Sequence, residues 1–264
     1  MSERYAVIGH PVAHSKSPLI HAEFARATGQ DIEYRRIEVA RDGFRRAVDE
    51  FRAAGGKGLN VTVPFKQQAF ALSRDASERA RIAKAGNTLV LDRSFCDNTD
   101  GVGLVRDITV NLGLTLKGKR LLLLGAGGAA QSVVGALLEA GAVQFSIANR
   151  TASRAVELAA RFPGASGYGY EALSGRSFDV VINATSAGLS DAAPPLPKGL
   201  LNDSTLAYEM VYGRETPFLA AAHKAGAHTC DGLGMLVEQA AESFFLWRGV
   251  RPATSPVLAK LRGS

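Results

Sequence analysis

A run of apolar residues, Leu121 to Leu124, leads straight into Gly125-Ala126-Gly127-Gly128-Ala129-Ala130. An apolar strand that meets a glycine turn and then a helix is the pattern of a dinucleotide cradle. Gly125 permits the tight turn, Gly127 lets backbone N–H groups approach a pyrophosphate, and Ala130 keeps the helix close to its sheet. A second strand, Val143 to Ala148, closes the unit and is followed by Asn149-Arg150-Thr151, with Arg154 one helical turn later. A carboxylate at that place would accept hydrogen bonds from a ribose 2′-hydroxyl and repel a 2′-phosphate. Arg150 and Arg154 can pair with the phosphate instead, and Asn149 and Thr151 can hydrogen-bond it, so the reading favours NADP over NAD.

A second set of polar residues lies where apolar strands end: His14 to Pro18, Asn60 to Lys66, Gly86-Asn87-Thr88 and Asn98-Thr99-Asp100. In open α/β sheets ligands bind at such ends. Each cluster also has a local reading. Ser17 before Pro18 has the form of an N-cap with proline at the first helical position, and Asp100 that of an N-cap for a helix starting near Gly101. A lone lysine such as Lys66 is most simply a solvated side chain. Ser15 has no such local role. Asn60 and Thr62 fall on one face of a strand, and polar groups there call for a partner.

The elements that must position these residues follow from periodicity. Strands are expected at Tyr5–Ile8, Tyr34–Val39, Leu59–Val63 and Leu89–Leu91, with helices at Pro18–Thr28 and Gly43–Ala54. This alternation predicts a parallel α/β sheet. A helix running to about Leu112 leads into strands at Arg120–Leu124, Val143–Ala148, Val180–Asn183, Leu206–Tyr208 and Ala227–Thr229, a Rossmann-type domain. A long helix over Met235–Trp247 then returns the chain to the first domain. The expected division is 1–100 with 236–264 as a substrate domain, and 101–235 as the NADP domain.

With 264 residues, 46% of them apolar, the chain can bury two cores, and no run is long enough to span a bilayer. The net charge of +6 is dispersed, which suits steering of small anions better than nucleic-acid binding. Met1 to Tyr5 shows no secretory pattern, so the expected compartment is the cytoplasm. Cys96 and Cys230 lack metal-ligand spacing and read as reduced thiols; no metal site is expected. A small-molecule substrate is the expected partner, with no nucleic acid or membrane, and the chain acts as a monomer or homodimer.

Taken together, Gly9 to Pro18, Asn60 to Lys66, Asn98 to Gly101, Gly125 to Ala129, Asn149 to Thr151 and Asn183-Ala184-Thr185-Ser186 resemble shikimate dehydrogenases, in order and over nearly the full length. The resemblance implies NADP-linked reversible reduction of 3-dehydroshikimate to shikimate, a step of aromatic amino-acid biosynthesis. It implies Ser15 and Ser17 as holders of the substrate carboxylate, and Asn60, Thr62, Asn87, Asp100 and Gln239 as partners of its ring hydroxyls. Tyr212 is a further substrate candidate, and Lys66 and Asp100 match the family's catalytic pair. The implied cofactor residues are Gly125, Ala126, Gly127, Gly128, Ala129, Asn149, Arg150, Thr151, Arg154, Thr185, Ser186 and Gly234.

Some positions depart from the common pattern. Ala22 follows His21 where Asn is usual, Glu209 and Gly213 replace Asp and Pro around Tyr212, and Lys84-Ala85-Gly86-Asn87 replaces a Gly-Ala-Val-Asn type sequence. Lys84 could add a cation near the substrate or point to solvent. Two other functions compete: a paralogue that also oxidises quinate, and a catalytically silent NADP-binding regulator on the same fold. A methylenetetrahydrofolate-type dehydrogenase shares the two-domain layout and a lysine, but has little use for a Ser15/Ser17 pair.

Overall fold

In a computed structural model, which describes residues 2–185 and 193–263, the chain forms two compact units, 1–103 with 236–264 and 104–235. No described helix is long and apolar enough to cross a membrane.

The first unit holds β1 (Glu3–Gly9), α1 (Ser17–Thr28), β2 (Ile32–Glu38), α2 (Phe44–Ala53), β3 (Gly56–Val61), α3 (Lys66–Leu72), β4 (Asp75–Ala76), α4 (Glu78–Ala83), β5 (Thr88–Val90) and β6 (Phe95–Asp97). Its sheet order is β2-β1-β3-β5-β6-β4. The expectation of a parallel sheet holds only for part of it. β1 pairs parallel with β2 and β3, but β5 runs antiparallel to both β3 and β6. Strands of three residues joined by the short turn after Leu91 leave no room for a helical crossover, so β5 and β6 must form a hairpin. One end of this sheet therefore gathers the C-terminal ends of β1, β3 and β6 with the N-terminal end of β5. Ala6, Ile8, Leu59, Val61 and Leu89 of the sheet pack with Phe44, Phe51 and Phe65 of the flanking elements in one core cluster.

α5 (Asp100–Arg106) runs on as one π-helical stretch, Asp107–Asn111, and the boundary between the units falls within α5. The second unit contains β7 (Arg120–Leu124), α6 (Gly128–Glu139), β8 (Gln144–Ala148), α7 (Ala152–Ala159), β9 (Ala165–Tyr168), β10 (Val180–Asn183), β11 (Leu206–Glu209), α8 (Pro217–Lys224) and β12 (His228–Cys230). All its pairings are parallel, in the order β12-β11-β10-β7-β8-β9. This is the doubly wound nucleotide-binding order, with its reversal between β7 and β10. Two helices complete the chain, α9 (Leu233–Arg248) and α10 (Ser255–Arg262). Both cysteines are buried thiols, with no disulfide among the described residues.

Candidate active site

In the first unit Lys66 opens α3 and Asp100 opens α5. Lys66 Nζ donates to Asp100 Oδ2 at 2.5 Å, with the ammonium side chain 23% exposed and the carboxylate 8%. A charge-assisted bond at this depth holds the ammonium in place while leaving one side reachable. The other oxygen, Oδ1, accepts from Asn87 Nδ2 at 2.8 Å, and the Lys66 carbonyl accepts from the Gly86 N–H at 2.8 Å. Asp100 is not the N-cap that local chemistry suggested. Its own N–H donates to Asn98 Oδ1 at 3.2 Å, and its carboxylate is engaged by Lys66 and Asn87. The turn before it is fixed by Arg79, which grips the buried Asp97 through both carboxylate oxygens at 2.7 and 2.6 Å.

Ser17 is likewise not an N-cap. Lys16 occupies that position without a side-chain cap, and Ser17 is the first residue of α1. The hydroxyl of Ser15 accepts the Ser17 N–H at 3.2 Å, and the two hydroxyls stand 3.1 Å apart. Ser15 thus has a structural role that its sequence context did not announce. Asn60 lies at the end of β3, but Thr62 is beyond the strand: the turn closed by Phe65 N–H to the Thr62 carbonyl begins there.

Asn60 is hydrogen-bonded through both its amide oxygen and its amide nitrogen. Its Oδ1 accepts from Tyr34 OH at 2.8 Å and faces His21 Nε2 at 3.1 Å. Its Nδ2 donates to Ser243 Oγ at 2.9 Å, and to Thr88 Oγ1 and the Asn87 carbonyl at 3.3 Å. Ser243 and Thr88 hydroxyls stand 2.7 Å apart, and Thr88 donates to Asn87 Oδ1 at 2.9 Å. Gln239, one turn before Ser243 on α9, accepts from Asn87 Nδ2 at 3.1 Å. One continuous hydrogen-bonded chain therefore runs from Lys66 through Asp100, Asn87, Thr88, Ser243 and Asn60 to His21. The burial of His21 pushes its imidazole down to about 3, so it is neutral here. His21, Tyr34 and Ser243 were not picked out as site residues by sequence reasoning, and Thr88 and Thr99 were picked out only as members of the polar clusters at the strand ends. The available signal was Gln239 and Ser243, polar residues four apart on an apolar helix.

In the second unit Gly125 takes φ +107°, a conformation that favours glycine, and its N–H donates to the Ala148 carbonyl at 2.7 Å. α6 starts without a side-chain cap or an acidic residue in its first turn. Gly127, Gly128 and Ala129 are exposed, and a Cβ on either glycine would meet nothing within 4 Å. Beyond β8, Arg150 and Arg154 are exposed, and among the described residues their side chains form no hydrogen bond and no ion pair with an acid; Arg150 acts through its charge on the Tyr170 hydroxyl. α7 has no acidic residue in its first turn, and Thr151 caps it without a side-chain bond. Asn149 Nδ2 donates to the Thr151 carbonyl at 3.0 Å. Uncapped N–H groups, open space and unpaired cations fit a polyphosphate with a further phosphate at its ribose.

Thr185 Oγ1 donates to Asn183 Oδ1 at 2.7 Å; Ser186 lies outside the described residues. Tyr212 is half-buried. Gly234 is buried against Asp107, whose carboxylate fills the space of a Cβ, so its lack of a side chain has a packing cause. Glu209, the departure from Asp, is fully buried; it accepts from Asn183 Nδ2 at 2.7 Å and Thr216 Oγ1 at 2.9 Å, and burial raises its carboxyl above the usual range. Lys84 ends α4 at φ +50° with its side chain exposed. A Cβ on Gly86 would stand 1.9 Å from Cys96 Sγ, so the thiol occupies the space of the missing valine.

Three family models match the chain: a shikimate dehydrogenase substrate binding domain over residues 7–89, a shikimate/quinate 5-dehydrogenase over 107–190, and a shikimate 5′-dehydrogenase C-terminal domain over 232–262. The chain belongs to the shikimate dehydrogenase family. A shikimate dehydrogenase (NADP(+)) of Methylobacillus flagellatus is 55% identical, covering 99% of this chain and 100% of that one. Among solved structures, an Ael1 enzyme from Pseudomonas putida superposes with a TM-score of 0.94 at 50% identity, covering 98% of each chain. The shikimate 5-dehydrogenase of Thermus thermophilus, in complex with NADP(H) and shikimate, does so with 0.88 at 35% identity, covering 99% of each.

Proposed function

We propose that this chain reversibly reduces 3-dehydroshikimate to shikimate with NADP(H). The observation that carries the reading is the Lys66–Asp100 pair, held by Asn87 in a unit whose other site residues are all hydrogen-bond partners suited to hydroxyls. In this reading Ser15 and Ser17 hold the substrate carboxylate, and Asn60, Thr62, Asn87, Asp100 and Gln239 meet its ring hydroxyls, with Tyr212 as a further contact. The backbone of Gly125 to Ala129, with Asn149, Thr151, Thr185, Ser186 and Gly234, holds the dinucleotide, and Arg150 and Arg154 pair with its 2′-phosphate. When bound, the nicotinamide supplies or takes up the hydride.

Hydride addition at the carbonyl carbon breaks the C–O π bond and leaves the electron pair on oxygen. The Lys66 ammonium stabilises that alkoxide and gives it a proton, becoming a neutral amine that solvent reprotonates. Asp100 orients the ammonium through its 2.5 Å bond, and Asn87 keeps the carboxylate from rotating. In reverse the Lys66 amine removes the hydroxyl proton. The dispersed cations leave small molecules as the partners, the chain acts as a monomer or homodimer, and we place it in the cytoplasm.

NADPH formation from shikimate, from quinate and without substrate tests the reading, with Lys66→Ala beside the parent. The expected result is turnover with shikimate, a loss in kcat of about 10²- to 10⁴-fold in the variant, and little change in substrate affinity. Quinate carries an added hydroxyl on the carbon bearing its carboxylate, which costs on the order of 1–3 kcal/mol when left poorly paired. Absence of NADPH with shikimate refutes the reading. Equal efficiency with quinate makes the chain a dual-specificity dehydrogenase.

A further inference from the structure

β2 places Tyr34 and Arg36 two residues apart, on one face of the strand. Tyr34 reaches Asn60, as described, and Arg36 reaches the loop before α1. Its Nε and Nη2 both donate to the Ser15 carbonyl, at 3.0 and 2.5 Å. Ser15 is the residue whose hydroxyl pairs with Ser17, and its N–H is bound to the Val12 carbonyl at 3.0 Å. The loop is thus clamped from both sides at this one residue. Arg36 is exposed, and among the described residues it pairs with no carboxylate, so its charge is not cancelled by an acid.

Two serine hydroxyls can hydrogen-bond a carboxylate, but they cannot neutralise it. A guanidinium fixed to the same residue can offset part of the charge through space, and its planar fork keeps it there at little entropic cost. α1 adds no opposing charge, since its first turn contains no acidic residue. We infer that Arg36 is a specificity-determining positioning residue: it acts through Ser15 to make this subsite select an anionic group over a neutral one of the same shape. The inference rests on the reading that Ser15 and Ser17 hold the substrate carboxylate. A rim cation of this kind changes association and salt dependence more than chemistry.

The test uses Arg36→Gln and Arg36→Lys with shikimate and with its neutral methyl ester, the ester being measured as a competitive inhibitor where turnover is too slow. Arg36→Gln is expected to raise KM for shikimate by about three- to ten-fold, with kcat and KM for NADP within about two-fold of the parent. The ester should be unaffected, and Arg36→Lys should recover most of the loss. Raising salt to about 0.5 M should weaken shikimate binding in the parent and change it little in Arg36→Gln. Equal losses for acid and ester, or no change with either, overturn the inference. Ser15→Ala run on both compounds separates the failures. If it discriminates against the acid and Arg36→Gln does not, the subsite stands and the role of Arg36 falls. If it treats acid and ester alike, the carboxylate assignment itself is wrong.

Discussion

The buried His21 makes the stability of this protein depend on pH in a way that one substitution should remove. The ring is fully buried, stacked on Tyr34 with centroids 4.2 Å apart, and Nε2 donates to Asn60 Oδ1 at 3.1 Å. Nδ1 has no hydrogen-bond partner, so protonation there would add an N–H that faces no acceptor. Burial therefore holds the folded imidazole down at about 3. An unfolded histidine titrates near ~6.5, so below that pH the unfolded chain takes up a proton that the folded chain refuses. The stabilisation from keeping His21 neutral is complete above pH ~6.5 and is lost as pH falls from there toward the folded value. The loss grows by about 1.4 kcal/mol per pH unit, which amounts to about 0.2 kcal/mol at pH 7 and about 2 kcal/mol at pH 5. Urea unfolding of the parent and of His21→Gln at both pH values measures the difference. Glutamine can still donate to Asn60, and every other titrating group is common to both proteins. The variant should be less stable at pH 7 through lost ring packing, yet lose about 2 kcal/mol less than the parent between pH 7 and pH 5. Equal losses in the two proteins would refute the argument.

Neutral replacements of Arg150 and Arg154 should weaken NADP binding by roughly 1.5–3 kcal/mol per lost charge-assisted bond and leave NAD nearly untouched; calorimetric titration with both dinucleotides checks this, and equal losses defeat it. Lys84→Gly should raise stability by about 0.5–1 kcal/mol, because relief of left-handed strain exceeds the added chain entropy. Thermal unfolding reads the gain, and KM for shikimate should stay unchanged if the lysine serves only as a helix end. Gly86→Val should cost about 1–3 kcal/mol by overpacking against Cys96, and a Cys96→Ala background should reduce that cost; an undiminished cost in the double variant would show that the thiol is not the obstacle.

What the chain announces locally, it announces well. Gly125 must adopt its turn and a carboxylate is missing beyond β8, both within a few residues of the signals that reveal them, whereas Lys66 and Asp100 read locally as a solvated side chain and an N-cap and were paired only by the family resemblance. Features set by distant partners were hidden. β5 and β6 are three residues each and end at a turn where Ser94, not glycine, takes φ +50°, so no hairpin signal marks them. β9, Ala-Ser-Gly-Tyr, has no apolar run and exists because β8 pairs with it. Ser17 and Asp100 imitated caps because short polar residues at helix starts usually are caps. Instead the N–H groups of Asp100 and Ser17 themselves donate to Asn98 and Ser15, each residue being the first of its helix, and only the folded chain shows this. Thr88 and Ser243 sit at positions where a core residue would fit the pattern equally well.

The hydrogen-bonded chain from Lys66 to His21 also restricts how the protein can change over generations. A single replacement inside it strands a buried donor or acceptor, at a cost of about 1–3 kcal/mol, a large part of the stability of a marginally stable fold. Residues at the rim of the same unit, such as Arg36 and Lys84, carry no comparable debt. New substrate preferences in this scaffold should therefore arise first by drift at the exposed loops, while the amides of Asn60 and Asn87 stay fixed until several partners change together.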